Sequence, residues 1–183
     1  PRDRTERIKG HNLFFSSGIN ANDIKEENIS NLKISNLDVE SKQFKNILGN
    51  LPSDHLISNL AIGYMTSCYL VEINEGSIIK EPIILNFLDG EQNYSSHPII
   101  FFKINKNCQV SIAEISNSLN GLNSPFIIYD IHEGSIVDFL KFQNDGEDTV
   151  HLGHSNFILD KNTLVKGFIF SKVAKLARIE ANS

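Results

Sequence analysis

The chain has 183 residues, 40% of them hydrophobic and 21% charged, with a formal net charge of −5. These values suit one packed domain, or one domain with a small appendage, and exclude a disordered or collagen-like chain. The acidic balance argues against a general nucleic-acid binder, which needs Lys and Arg to displace counterions, and two cysteines without a CxxC spacing exclude a disulfide scaffold and a self-contained zinc site.

The first residues, Pro1-Arg2-Asp3-Arg4-Thr5-Glu6-Arg7, lack the apolar run of a signal peptide, and no initiator Met precedes them. A missing or processed start is therefore expected. Free cysteines without a signal predict a cytoplasmic location. Residues 1–67 read as a mixed, partly helical N-terminal region, with 12–36 as loop or short strand. Asp38–Leu51 places Val39, Phe44, Ile47, Leu48 and Leu51 near helical spacing, with Gly49-Asn50 and Pro52 as stop signals. A second helix is predicted over Ser53–Tyr64, capped by Ser53-Asp54 and burying Leu56, Ile57, Leu60 and Ala61. The apolar stretch Leu56–Val71 contains Ser58, Asn59, Thr66 and Ser67 and is short for a membrane span of about 20 residues.

Residues 68–183 form the second predicted region, a mainly β one. Ile and Phe occur there in short runs broken by Gly, Asn and charge. Pro98–Ile104 is almost continuously apolar, which predicts a strand covered on both faces.

A repeat runs through this region. Ile73-Asn74-Glu75-Gly76-Ser77-Ile78, Ile104-Asn105-Lys106-Asn107-Cys108-Gln109, Ile131-His132-Glu133-Gly134-Ser135-Ile136 and Leu159-Asp160-Lys161-Asn162-Thr163-Leu164 share one pattern. An aliphatic residue is followed by a polar one, a charge, Gly or Asn, and a small Ser, Cys or Thr. The copies are offset by 31, 27 and 28 residues. Gly and Asn tolerate φ > 0, so the fourth position predicts a left-handed turn between strands. A period of about 28 residues with β on both sides of the turn predicts a parallel β-helix, incomplete at its C-terminal end, whose stacked rungs bury a common core. Stacking at these offsets sets Glu114 beside Lys141, Asp138 beside Lys166, Ile136 on Leu164, Leu140 on Phe168 and Phe142 on Phe170. Such opposite-charge neighbours are worth about 0.2–1 kcal/mol each. An open solenoid end would also expose backbone edges and favour self-association.

No residue emerges as catalytic, cofactor-binding or metal-binding. Cys108 is open to two readings, a thiolate ligand or sulfur acceptor, and a small turn residue. The second is favoured, because Ser77, Ser135 and Thr163 hold the same slot. Cys68 reads as a buried hydrophobe at a helix-to-strand junction. His151 and His154 form HxxH, which chelates a metal on a helix but points to opposite faces on a strand. His97 before Pro98 reads as a turn residue and His132 as a solvated one. Gln143–Asp148 reads as a solvated acidic loop whose spacing departs from that of a calcium loop. No Walker, GxGxxG, GxSxG or HExxH motif is present.

Several stretches carry a family resemblance. They are Asn59-Leu60-Ala61 with Tyr69–Ile73 and Glu75-Gly76, then Glu81-Pro82-Ile83, then His97-Pro98 before an apolar strand. Val110–Glu114, Glu133-Gly134-Ser135 with Val137–Gln143, His151, Phe157–Leu159 and Leu176-Ala177-Arg178 follow. In this order and spacing the chain resembles the SufB/SufD family of iron–sulfur cluster assembly proteins, and SufD more than SufB. Ile99 stands where the family often has Arg, Ile8-Lys9-Gly10 where it has a Trp-Lys-Tyr-like segment, and Val173-Ala174 where it has a glycine pair. The resemblance implies a flattened right-handed parallel β-helix with a small N-terminal helical region. It implies a non-enzymatic scaffold subunit that pairs with a SufB-like subunit in a complex driven by a SufC-like ABC ATPase. The ATPase-contacting helices of the family are expected beyond Ser183. The resemblance further implies that this chain alone binds no cofactor, that a cluster belongs to the full complex, and that neither nucleic acid nor membrane is a partner. A free-standing β-helix binding module is the alternative. A β-helix enzyme is a more distant one, because neither a six-residue aliphatic repeat nor a clustered acid–base face is present.

Overall fold

The computed structural model describes residues 9–16, 27–29, 31–49, 56–88 and 95–183. The chain opens with β1 (His11–Ser16), β2 (Glu27–Ile29) and β3 (Leu32–Asn36), then two short helices, α1 (Lys42–Gly49) and α2 (Leu56–Gly63). It continues through β4 (Ser67–Ile73), β5 (Ile83–Leu88), β6 (Ser95–Ser96), β7 (Pro98–Ile104), β8 (Gln109–Ser116), β9 (Asn120–Asn123) and β10 (Phe126–Ile131). The last strands are β11 (Ile136–Gln143), β12 (Asp148–Leu159), β13 (Leu164–Ser171) and β14 (Leu176–Asn182). These strands build a mainly β fold, a parallel solenoid of about four turns. One sheet runs β1-β5-β8-β11-β13, hereafter sheet A. The other runs β2-β3-β4-β7-β10-β12-β9-β6 with β14 on β12, hereafter sheet B. Among the described residues only the β2–β3 and β3–β4 pairs are antiparallel.

The turns that join the two sheets form where the repeat predicts them. Gly76, Asn107, Gly134 and Asn162 have φ of 71°, 57°, 74° and 57°. At Gly134 stacking adds a second demand, since a Cβ there would stand 2.5 Å from the Asn107 side-chain oxygen of the turn beneath. The small residue after each turn has a structural role. The Ser135 hydroxyl donates to Asn105 O (2.9 Å) and accepts from Cys108 N–H (3.0 Å). Cys108 Sγ donates in the same way to Asn74 O, at 3.1 Å. Each of these side chains ties its turn to the preceding one. Thr163 instead donates to Asp160 O within its own turn.

The register across β8, β11 and β13 is the one that the offsets give. Glu114 lies beside Lys141, Asp138 beside Lys166, Leu140 beside Phe168 and Phe142 beside Phe170. The two Phe rings stack with centroids 5.3 Å apart. Alternate residues of both sheets point inward and form one core, from Leu13 and Phe15 through Ile83, Leu85, Ile100 and Phe102 to Tyr129, Ile131 and Phe139. β7 is buried on both faces, as its apolar run predicts. Its outer face, with those of β4 and β10, packs under the helices, where Leu70, Ile99, Phe101, Phe126 and Ile128 meet Phe44 and Ala61.

The short strands allowed for 12–36 are present: β1, which begins at His11, joins sheet A, and β3 joins sheet B. The N-terminal region differs from the sequence reading in two places. Helix α1 is shorter than Asp38–Leu51. Asp38 caps a turn through Glu40 N–H, and Ser41 Oγ accepts from Phe44 N–H, so the helix starts after Ser41. In α2 the buried face is Ile57, Ser58 and Ala61, while Leu56 is exposed. The face is rotated because Ser58 turns toward His154 of sheet B. The predicted cap Ser53-Asp54, the stop residues Asn50 and Pro52, Leu51, Ile8 and the segment Pro1–Arg7 lie outside the described residues.

Candidate functional site

Two inward rows of sheet A change from apolar to polar along the solenoid. The row Leu13–Leu85 continues as Glu114–Lys141, and the row Phe15–Phe87 continues as Ser116–Gln143. Apolar partners therefore give way to a buried polar cluster in the later rungs. Lys141 Nζ lies 2.6 Å from Glu114 Oε2, and both side chains are shielded from water. Ser155, projecting inward from β12, donates to Glu114 Oε1 (2.8 Å) and accepts from Lys141 (3.0 Å). The Tyr129 hydroxyl also donates to Glu114 Oε1, at 2.8 Å. Burial, reinforced by the Glu114 charge, pushes the Tyr129 phenol well above its ordinary value and keeps it a donor. The pair thus meets the condition for a tolerable buried charge, with close geometry and further hydrogen bonds on both partners.

A second group adjoins it, centred on Asp145 in the loop between β11 and β12. Asp145 Oδ1 accepts from the Ser116 hydroxyl (2.7 Å) and from Ser118 N–H (2.8 Å). Its Oδ2 accepts from Gln143 Nε2 (2.8 Å) and lies 3.1 Å from His151 Nδ1. This corrects the reading of Gln143–Asp148 as a solvated loop. Gln143 and Asp145 are buried, because the loop folds inward and its carboxylate satisfies donors that the solenoid interior cannot otherwise pair. Burial alone would raise the Asp145 carboxyl. Hydrogen bonds from His151, Gln143 and Ser116 outweigh it and hold the group below its ordinary value.

Asp145, His151 and Ser116 are the residue types of a nucleophilic relay, but their geometry is different. In such a relay the hydroxyl and the carboxylate engage opposite ring nitrogens of the histidine. Here Ser116 Oγ lies 3.3 Å from His151 Nδ1, the nitrogen that also faces Asp145. His151 Nε2 has no hydrogen-bond partner. It occupies a tight gap beside Lys141 that depends on Gly153, where a Cβ would stand 2.7 Å from Nε2 and 3.1 Å from Lys141 Nζ. The group organises the interior and does not prime a hydroxyl for attack.

The other singled-out residues are dispersed. His154 faces away from His151, as strand alternation requires. Its Nδ1 pairs with Ser58 (3.0 Å), its Nε2 with Asn182 (3.2 Å), and its ring stacks on Phe126. His97 is buried at the turn into β7, where its N–H donates to Thr66 Oγ1 (3.0 Å) and burial lowers its ring below the ordinary histidine value. His132 is half-buried, 3.3 Å from Asp130. Cys68 packs under the helices and Cys108 in the inner core. Burial pushes the Cys68 thiol up to about 12 and raises Cys108 as well. Among the described residues no group of three or more His, Cys, Asp and Glu converges as a metal site, and no helix is long and apolar enough to cross a membrane.

Nothing in the sequence marked Asp145 or Ser116 as buried. The one available signal was the run of polar residues at inward positions, Glu114, Ser116, Lys141 and Gln143, once the register is known. Comparison with protein-family models, with curated proteins and with solved structures finds no match for this chain.

The Asp145 network makes a pH prediction. A carboxyl held below its ordinary value of 3.8 contributes stability in full above that value and loses it as pH falls through the folded one. Unfolding free energies measured from neutral to acid pH should fall more steeply below about pH 4 for the parent than for Asp145→Asn. Equal slopes would mean that the carboxyl is not held down by its partners.

Proposed function

We propose that this chain is a SufD-like scaffold and interaction subunit of a SufBCD-type iron–sulfur cluster assembly complex, acting in the cytoplasm without catalysis of its own. The observation that carries the reading is a coincidence. Apart from Asn59-Leu60-Ala61, which lies in helix α2, the stretches that resemble the SufB/SufD family fall in order on the strands and turns of a parallel solenoid, the architecture that the resemblance implies. The polar interior supports it too, since its charged groups are consumed in pairing with one another and are closed to solvent. In this reading the SufB-like partner supplies the sulfur ligands, and the SufC-like ATPase drives the assembly.

Co-expression with SufB-like and SufC-like subunits from the same genome tests the proposal. The expected result is co-purification of this chain with the SufB-like subunit in a defined complex by size-exclusion chromatography with light scattering. A well-folded chain that elutes apart from both would overturn it. The second reading, a β-helix binding module, is favoured by an apolar groove of about 470 Å³ on sheet A, lined by Ile84, Ile115, Leu140 and Phe168, and would then take precedence.

A further inference from the structure

The outer faces of the two sheets are treated differently. Helices α1 and α2 cover the outer face of sheet B. On the outer face of sheet A an apolar row, Ile84–Ala113–Leu140–Phe168, lies in register across four strands. Ala113 is the small side chain in that row, and the 470 Å³ groove is the hollow around it. That volume falls in the range of small-molecule sites, about 300–1,000 Å³. The next outward row, two residues nearer the strand starts, is polar. It reads Ser111–Asp138–Lys166 and forms one rim of the groove. Asp138 and Lys166 are opposite in charge and adjacent in register, yet neither side chain, nor that of Ser111, makes a hydrogen bond or ion pair among the described residues. A carboxylate and an ammonium therefore stand free, side by side, at the mouth of an apolar hollow.

We infer that this groove binds a zwitterionic α-amino acid with a large apolar side chain, of the phenylalanine type. The charges select the class. A fatty carboxylate would gain Lys166 but meet Asp138, and an amphiphilic amine would gain Asp138 but meet Lys166. A ligand that carries both charges close together meets each with its opposite. Neighbouring strands set Asp138 and Lys166 about 4.8 Å apart at Cα, a short span that suits an ammonium and a carboxylate on one carbon. The ligand ammonium donates to Asp138 and to the Ser111 hydroxyl beside it, and the ligand carboxylate accepts from Lys166 Nζ. Its side chain then passes over Leu140 into the hollow above Ala113, two residues and about 7 Å further along the strands. A long side chain bridges that distance and a methyl group does not. Phe168, 63% exposed, offers its ring to an aromatic ligand at the same wall. Asp138 and Lys166 are both exposed, so each charge contributes modestly and the affinity is low. The inference does not depend on the proposed function.

Titration of the full chain with L-phenylalanine, followed by proton–nitrogen NMR, tests the inference. Amide shifts are expected at residues 111–115, 138–140 and 166–168, with a dissociation constant on the order of millimolar, the range open to a ligand of about a dozen heavy atoms. N-acetyl-L-phenylalanine and L-phenylalaninamide each lack one charge and should bind about threefold or more weakly, as the loss of an exposed ion pair requires. L-alanine, which cannot fill the hollow, should give no shifts. Asp138→Asn and Lys166→Met should each weaken phenylalanine binding about threefold. Ala113→Phe should abolish it by occupying the hollow. Circular dichroism confirms that each variant is folded, and the ligand analogues decide the matter on the parent chain if a variant is not. No shifts around Ala113 at about 20 mM phenylalanine would overturn the proposal, since a millimolar site is then nearly filled. So would equal binding of the N-acetyl and amide forms, or binding that survives Ala113→Phe.

Discussion

Lys141→Met is expected to destabilise the protein by about 3–5 kcal/mol, the cost of stranding a buried charge. Glu114 keeps only Tyr129 and Ser155 as donors once the ammonium is gone, and its carboxylate has no route to water. The double variant Glu114→Gln with Lys141→Met is expected to be much milder than the single one. Removing both charges also removes the desolvation that each charge imposes on the folded state. Chemical denaturation of the four corners of this cycle checks the expectation. A single variant as stable as the parent would mean that water reaches the pair. The contrast with exposed pairs is physical. Glu72 and Lys103 are as close, at 2.6 Å, but sit partly in solvent, where screening reduces such a pair to about 0–1 kcal/mol.

Ile131→Asp is the second large effect, expected at about 4 kcal/mol or more. Ile131 belongs to the inward aliphatic row Leu32–Ile73–Ile104–Ile131–Leu159, which continues across five strands. It is fully buried in the apolar cluster between the two sheets. Ile131→Val, which keeps the shape and removes one methylene, should cost only about 0.5–1.5 kcal/mol. Thermal unfolding of the two variants side by side separates a rung position from a surface one. An unchanged melting temperature for Ile131→Asp would place residue 131 outside the core.

The solenoid was legible in the sequence because its determinants are local and repeated. Left-handed φ is a property of Gly and Asn at Gly76, Asn107, Gly134 and Asn162, whatever surrounds them. Strand alternation likewise separates His151 from His154 before any tertiary contact is known. The offsets between turns then bring Glu114 beside Lys141 and Asp138 beside Lys166. Which of these pairs is inside was not local information. Glu114 and Lys141 face inward and Asp138 and Lys166 outward only because the opposite sheet lies on one side of sheet A. The burial of Asp145 depends on a loop closing over Ser116, Ser118 and His151, residues up to 29 positions away along the chain. The incorporation of β1 into sheet A is another long-range choice, since His11–Ser16 pairs with Ile83–Leu88. Turn chemistry and periodicity in this sequence determined a stacked β architecture and its register. Tertiary packing decided which polar side chains are shielded from water, and shielding is what turns an ordinary Glu–Lys or Asp–His pair into a determinant of stability.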